Sequence, residues 1–422
     1  MVIRTSRGDE MRAKFVALGT GPLHRPKRTA SRVSRRSRAI SFHQPLGLRN
    51  CGGNPSGRKQ INLADKRVGI IGTGATSVQC IPTWPGLQEA LRLSTNTVVD
   101  RCTATTTTST RNGSALEPGW QDKWLLNFCT ADGWLADEDL VMDGWTDIPS
   151  ASEIACCGAG YARRHGEGIP RRATRRWPRS GLGVDELVHD EATAEALKPW
   201  YRQLCKRPCF HDEYLQAYNE PGTYLIDTDG KGVERITETA VVVDGVEYEV
   251  DLLIYASGFE VGTDYARRSG FDLVGRNGRR LSEHWADGML SLHGIHMAGF
   301  PNAFLVGPTQ GANLISNIPH NMTEAGKTIA TIIAHATEIG ADEVEVSAEA
   351  ESAWVDKLEH GGRTFGANPE CTPGYYNNEG HDAGRRGLLN RVGYPDGPVA
   401  YFAYIDAWRT SGEFAGLTFT TR

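Results

Sequence analysis

The chain has 422 residues, 39% of them apolar, which is ample for more than one packed core. Its formal net charge of -5 provides no general attraction to nucleic acid or to an anionic membrane. Nine cysteines stand without C-x-x-C or Cys/His zinc spacing, no apolar run approaches the ~20 residues that span a bilayer, and Asp9, Glu10 and Arg12 interrupt any signal-peptide core, so a cytoplasmic enzyme is expected.

In chain order, Phe15–Leu18 reads as a strand running into Gly19-Thr-Gly-Pro22. Val68–Ile71 is a short apolar run that breaks into Gly72-x-Gly74-x-x-Ser77 before an apolar helix start, as a buried parallel strand meeting a nucleotide-binding turn would. Gly72 suits a tight turn, Gly74 lets backbone approach a pyrophosphate, and Ser77 is small enough for close helix–strand packing. Thr73, Ala75, Thr76 and Gln79 complete the candidate loop; a tight strand–helix turn with no ligand is the plain alternative.

Ala192–Leu204 reads as a helix broken at Pro199 and ended by Lys206-Arg207-Pro208. Tyr224–Ile226 is a strand, and Ala240–Val243 and Val246–Val250 form a hairpin through the type I′ turn signal Asp244-Gly245. Leu252–Ala256 and Ala303–Val306 are further strands, running into Ser257-Gly258 and Gly307-Pro308. Asn321-x-x-Glu324 offers a capping box for a helix whose face carries Ile329, Ile332, Ile333 and Ala336 and which stops at Gly340. Strands alternating with helices, most strands ending in glycine, imply a doubly wound parallel α/β architecture.

Taken together, Leu18-Gly-Thr-Gly-Pro-Leu23, the Gly72 turn and Ala256-Ser-Gly-Phe259 resemble, in that order, the flavin-dependent Baeyer–Villiger monooxygenases. Lys206-Arg-Pro-Cys209, Leu281-Ser-Glu-His-Trp285, Gly299-Phe-Pro-Asn302 and Cys371-Thr-Pro-Gly-Tyr-Tyr376 extend the likeness. The resemblance implies two doubly wound, Rossmann-like dinucleotide-binding domains, with an NADP domain inserted into an FAD domain. It divides this chain into an FAD-domain remnant and linker at 1–60, an NADP domain at 61–250 and the C-terminal part of the FAD domain at 251–422. It also implies FAD and NADP as cofactors, a small-molecule ketone and O2 as substrates, and an ester or lactone as product.

Carried over residue by residue, the resemblance makes Arg207 the catalytic arginine, because negative charge developing on oxygen needs a fixed cation and arginine stays charged at any working pH. Lys206 becomes the contact to the NADP 2′-phosphate; solvated cations at a helix end are the ordinary alternative for both residues. Ser257 and Gly258 match a linker turn near the FAD, while Gly307, Pro308, Asn317 and Ile318 match the segment passing the flavin ring. Tyr375, or Tyr376 one residue on, matches an aromatic residue on the nicotinamide side. His293, His296 and His320 lack carboxylate or cysteine company at ligand spacing, and no metal is expected.

Two departures set this chain apart. The family's first G-x-G-x-x-G, which binds the FAD pyrophosphate, has no counterpart before Phe15, and its F-x-G-x-x-x-H-x-x-x-W fingerprint is missing between Lys27 and Gly52. Basic runs at His24–Arg38 and Arg163–Arg179 and the threonine run Thr103–Thr110 interrupt the pattern. Shifted reading frames of Arg32–Ile40, Gln44–Asn50, Gly86–Val98 and Arg164–Arg172 can encode family-like FKGH, SRW, QRTP and DMEKAY segments, so frame slips are expected, with the NADP domain disrupted at about 83–112 and 150–182 and activity impaired. The rivals are an N- or S-oxygenating flavin monooxygenase, a non-catalytic nucleotide-binding remnant and, on the basic runs alone, a nucleic-acid binder.

Overall fold

The structure, a computed structural model, describes residues 1–23, 25–27, 32–33, 40–43, 66–83, 89–94, 99–100, 118–129, 140, 180–198, 205–207, 209–307, 309–312, 317–361, 363–364, 371, 373–381 and 384–421. It divides into two compact units: Met1–His24, Ala104–Ile169 and Val261–Arg422 form the first, and Arg25–Thr103 with Pro170–Glu260 form the second. The segments of the two units alternate along the chain, with boundaries that differ from those read in the sequence. The second unit begins at 25 rather than 61, because the backbone at Arg25 and Lys27 bonds to Glu260 and Gly258. Its other limit is 260 rather than 250, and 104–169 belongs to the first unit, in whose core Cys129 is buried and against which Leu126 packs.

The second unit is built on a parallel five-stranded sheet in the order Thr223–Asp227, Glu89–Ser94, Arg67–Ile71, Leu252–Tyr255, Ile40–His43. Alternation along the strands decides which side chains meet which layer. Val68, Ile70, Leu252 and Ile254 face one core with Val78, Val184 and Leu197, whereas Ile71 and Leu253 face another with Val241 and Val243. Each such side chain contributes roughly 1.5–3 kcal/mol when withdrawn from water. The Ala240–Val243/Val246–Glu249 hairpin forms as expected, with Val243 opposite Val246 and positive φ at both Asp244 (47°) and Gly245 (78°), the type I′ geometry.

A strand at Glu89–Ser94 lies where the sequence pointed to disruption, paired on both sides by backbone hydrogen bonds. Of the other anomalous stretches, 25–27, 32–33, 40, 99–100 and 180–182 are also described, whereas 164–172 and the threonine run lie outside the described residues.

The first unit opens with a short Val2–Arg4/Glu10–Arg12 hairpin ahead of the expected strand, which spans Val16–Leu18 and pairs in parallel with Ala303–Leu305. Helices Ile318–Glu338, Ala348–Gly361 and Gly397–Ser411 contribute Ile329, Ile332, Trp354, Leu358, Tyr401 and Ile405 to its main core. The first of these helices starts four residues before the expected capping box. Asn317 is the N-cap, its side chain accepting from the His320 N–H, and Pro319 stands in the first turn. Asn321 and Glu324 are therefore buried inside the helix. Its C-terminus closes as a Schellman motif, with Gly340 N–H donating to Thr337 O and Ala341 N–H to Ala336 O. No helix among the described residues is long and apolar enough to cross a membrane.

Candidate functional site

Within the second unit, the three strands after Ile40–His43 and the returning Leu252–Tyr255 have the spatial order 3-2-1-4, so the direction of winding reverses between Arg67–Ile71 and Leu252–Tyr255. Ligands of doubly wound sheets bind where the strand order switches, outside the carboxyl ends of the strands. Gly72 leaves its strand at that point with φ +117°, and a Cβ added there would stand 2.4 Å from the Ala256 carbonyl oxygen. Only glycine can hold the two chain segments this close. The Ala256 N–H donates to Ile71 O at 2.9 Å, and the fully buried Ser77 hydroxyl donates back to the Gly72 carbonyl.

Helix Ala75–Cys80 follows, with Gly74 as an N-cap that offers no side chain and no acidic residue in the first turn. Its first N–H groups are thus not capped by a side chain of the turn, and a Cβ at Gly74 would meet nothing within 4 Å. A backbone-lined cradle with room beside it fits a phosphate group. Thr73 and Thr76 are buried, while Gln79 is exposed on the helix.

Ser257 and Gly258 follow the other strand of this switch point. The Ser257 hydroxyl donates to Lys27 O at 2.6 Å, and the Gly258 carbonyl accepts from Lys27 N–H at 2.9 Å. These bonds clasp the two crossing segments of the second unit, a structural role for both residues. Lys206 is half-buried and Arg207 exposed, in a bend before Cys209–Phe210. Burial pushes the Cys209 thiol up to about 11, with the nearby Arg207 charge opposing the shift.

The first unit contains a cavity of about 360 Å³, a size suited to a small organic molecule. The turn after strand Val16–Leu18 reaches it through Leu18, Thr20, Gly21 and Pro22, and Gly307 lies on its wall. Trp285, Met289 and Leu305 supply apolar surface. Tyr265 packs edge-on against Trp285, with ring centres 5.7 Å apart, and accepts a hydrogen bond from the Thr20 hydroxyl. Behind Thr309, the buried Gln310 side chain bonds to Ser291 and to the Met289 carbonyl, bracing that wall.

Tyr376 lies on the cavity wall, and the Tyr375 side chain and Pro308 are outside the described residues. Asn317 and Ile318 start the long helix and do not belong to the wall. Arg268, Arg386 and Arg391 do, and the sequence reading missed all three, since the segments that meet here are hundreds of residues apart. His293 packs edge-on among Trp354, Tyr404 and Trp408, His296 against Phe304 and His320 against Phe402.

No family model matches the chain. Neopentalenolactone D synthase of Streptomyces avermitilis is 40% identical over 432 residues, covering 99% of this chain and 71% of that protein. A Baeyer–Villiger monooxygenase of Streptomyces coelicolor is 37% identical, covering 97% of this chain and 68% of that protein. Among solved structures, the polycyclic ketone monooxygenase of the thermophilic fungus Thermothelomyces thermophila superimposes with a TM-score of 0.83 at 29% identity, over 99% of this chain and 69% of that one. This chain therefore belongs to the flavin-dependent Baeyer–Villiger monooxygenases, oxidoreductases that work with FAD and NADP.

Proposed function

We propose that this chain serves the NADPH- and O2-dependent conversion of a fused-ring ketone to an ester or lactone in the cytoplasm. The Gly72–Ala256 approach at the switch point, with open space beside Gly74, is the observation that carries the nucleotide half of this reading. Gly72, Gly74 and the first N–H groups of Ala75–Cys80 hold the NADP pyrophosphate, and Lys206 meets its 2′-phosphate. FAD reduced by NADPH supplies the oxygen-transfer chemistry when bound. Arg207 is the fixed cation for charge developing on oxygen. The cavity beside Gly307, Tyr376 and Trp285 receives the ketone, excluding water with its apolar wall.

The likeness to a polycyclic ketone monooxygenase supports the fused-ring substrate class. The decisive experiment adds FAD and NADPH to the purified chain and follows O2-dependent NADPH oxidation on a panel of fused-ring ketones, with mass spectrometry for the gain of one oxygen atom. Oxygen appearing instead on amines or thioethers identifies the N- or S-oxygenating sibling. NADPH oxidation at background, with nucleotide still bound, identifies a non-catalytic remnant. The flavin-to-protein ratio in the same preparation reads the impairment expected from the anomalous segments, which a stoichiometric yellow protein would refute.

A further inference from the structure

The cavity of the first unit carries a cation that no carboxylate among the described residues neutralises. Arg268, on the short helix Tyr265–Ser269, lines it. One terminal nitrogen donates to the Val261 carbonyl, and the guanidinium lies 6.0 Å from the centre of the Tyr265 ring. Its Nε is buried without a hydrogen-bond partner. Burial pulls the Arg268 pKa down, and the Tyr265 phenol is the group that opposes this; among the described residues no carboxylate does. Asp264, the acidic residue of the wall, is paired with Arg386.

Withdrawing a guanidinium from water without a counter-charge is costly, and its planar fork matches the two oxygens of a carboxylate. The same cavity offers Trp285, Met289 and Leu305 as apolar surface, so a ligand with an apolar ring body and one anionic group is complementary to both features.

We propose that Arg268 binds a carboxylate carried by the ketone substrate, which makes the preferred substrate a keto acid. The proposal rests on the cavity being the ketone site. The anion completes the hydrogen bonding of the guanidinium and supplies its missing counter-charge, while the ring body fills the apolar part of the cavity.

Ligand-observed NMR on the full chain, comparing 4-oxocyclohexanecarboxylate with its methyl ester, tests this. The carboxylate should bind about tenfold more tightly or better, as a charge-assisted hydrogen-bonded pair implies. In Arg268→Gln that preference should fall to about twofold or less, and Arg268→Lys should keep part of it. Far-UV circular dichroism checks the fold; should the glutamine variant not fold, an undiminished preference in Arg268→Lys overturns the proposal. Equal affinity for acid and ester in the parent chain, or a preference that survives Arg268→Gln, also overturns it. Ala286→Trp, which crowds the cavity rim, separates the two levels. If it weakens both ligands while Arg268→Gln changes neither, the ketone site stands and the keto-acid inference falls. If it weakens neither, the cavity is not the ketone site and both fall. A loss of NADP⁺ affinity in Arg268→Gln, with the acid preference intact, assigns the arginine to a cofactor phosphate instead.

Discussion

The cores of the two units solve the packing problem differently. In the second unit the parallel sheet is buried by Val68, Ile70, Leu252, Leu253 and Ile254, and among its described residues no histidine or carboxylate is buried. The first unit buries His284, His293, His296, His320, Glu324 and Glu351 among its apolar side chains. An apolar core depends on volume and backbone fit and is indifferent to mild acid. A core with buried titratable groups depends on each group keeping its partner or its proton state. The second unit should therefore be most vulnerable at its backbone, and the first at its charges.

The largest effect is expected from Gly72→Ala. The new Cβ would stand 2.4 Å from Ala256 O, at a φ of +117° that side chains rarely adopt. Backbone lies on both sides of the contact, so nothing flexible can yield. A loss of about 3 kcal/mol or more is expected in urea denaturation, along with NADP binding. An unchanged midpoint would mean that the two strand ends are not in contact.

Next comes Glu324→Gln in the first unit. Burial pushes this carboxyl up, but bonds from Lys327 (2.8 Å) and Arg409 (3.1 Å) outweigh it and hold the pKa below its ordinary value. Breaking the Arg409 contact, which ties helix Ile318–Glu338 to Gly397–Ser411, should cost about 2 kcal/mol at neutral pH. Because the folded pKa is depressed, the stabilisation is present above the unfolded value and disappears as pH falls through the folded one. The variant should therefore approach the parent chain in strong acid, and a constant gap at all pH values would contradict the charge argument.

His296 gives the smaller effect at neutral pH, with its own pH signature below it. Burial pushes it down to about 3 from an ordinary 6.5, so the unfolded chain takes up a proton that the fold excludes. Stability falls as pH drops below 6.5, by about 1.4 kcal/mol per unit at most, until the folded value is reached. His293 adds to the same slope, through burial first and then through His296 and Lys357. His296→Phe should flatten the slope between pH 6 and 4 by about one proton, as read from denaturation midpoints. Hydrogen exchange at pH 5 should open amides of the first unit before those of the second.

The same contrast explains which features were legible from sequence. Val68–Ile71 with its glycine turn and Asp244-Gly245 between alternating valines were readable, because short-range pattern and local turn geometry decide them. The helix cap was misplaced because Asn321-x-x-Glu324 matches a capping box locally, while burial of both residues in the first unit overrides it; Asn317 followed by Pro319 carried the true signal. The strand Glu89–Ser94 was missed because its place is set by backbone pairing to two neighbours rather than by an apolar run. Of the cavity, Gly307 and the turn after Leu18 were marked in advance, whereas Arg268 and Trp285 meet there only through tertiary folding.

Two glycines give the smallest and most discriminating test. Gly74 and Gly307 both follow strands, yet a Cβ at either would touch nothing within 4 Å, and neither has a positive φ. Strand-then-glycine in a sequence does not distinguish them from Gly72, whereas the space around the Cβ does. Alanine at each should change stability by about 0.5 kcal/mol or less, and the restricted unfolded chain can even make the change favourable. Binding should separate them. If the room beside Gly74 is kept for a pyrophosphate, Gly74→Ala should weaken NADP⁺ binding about tenfold by calorimetry while leaving the denaturation midpoint in place, and Gly307→Ala should leave NADP⁺ affinity as it is. Equal NADP⁺ affinity in both variants would mean that Gly74 is open merely because nothing packs there, and the phosphate cradle would have to be sought elsewhere in the second unit.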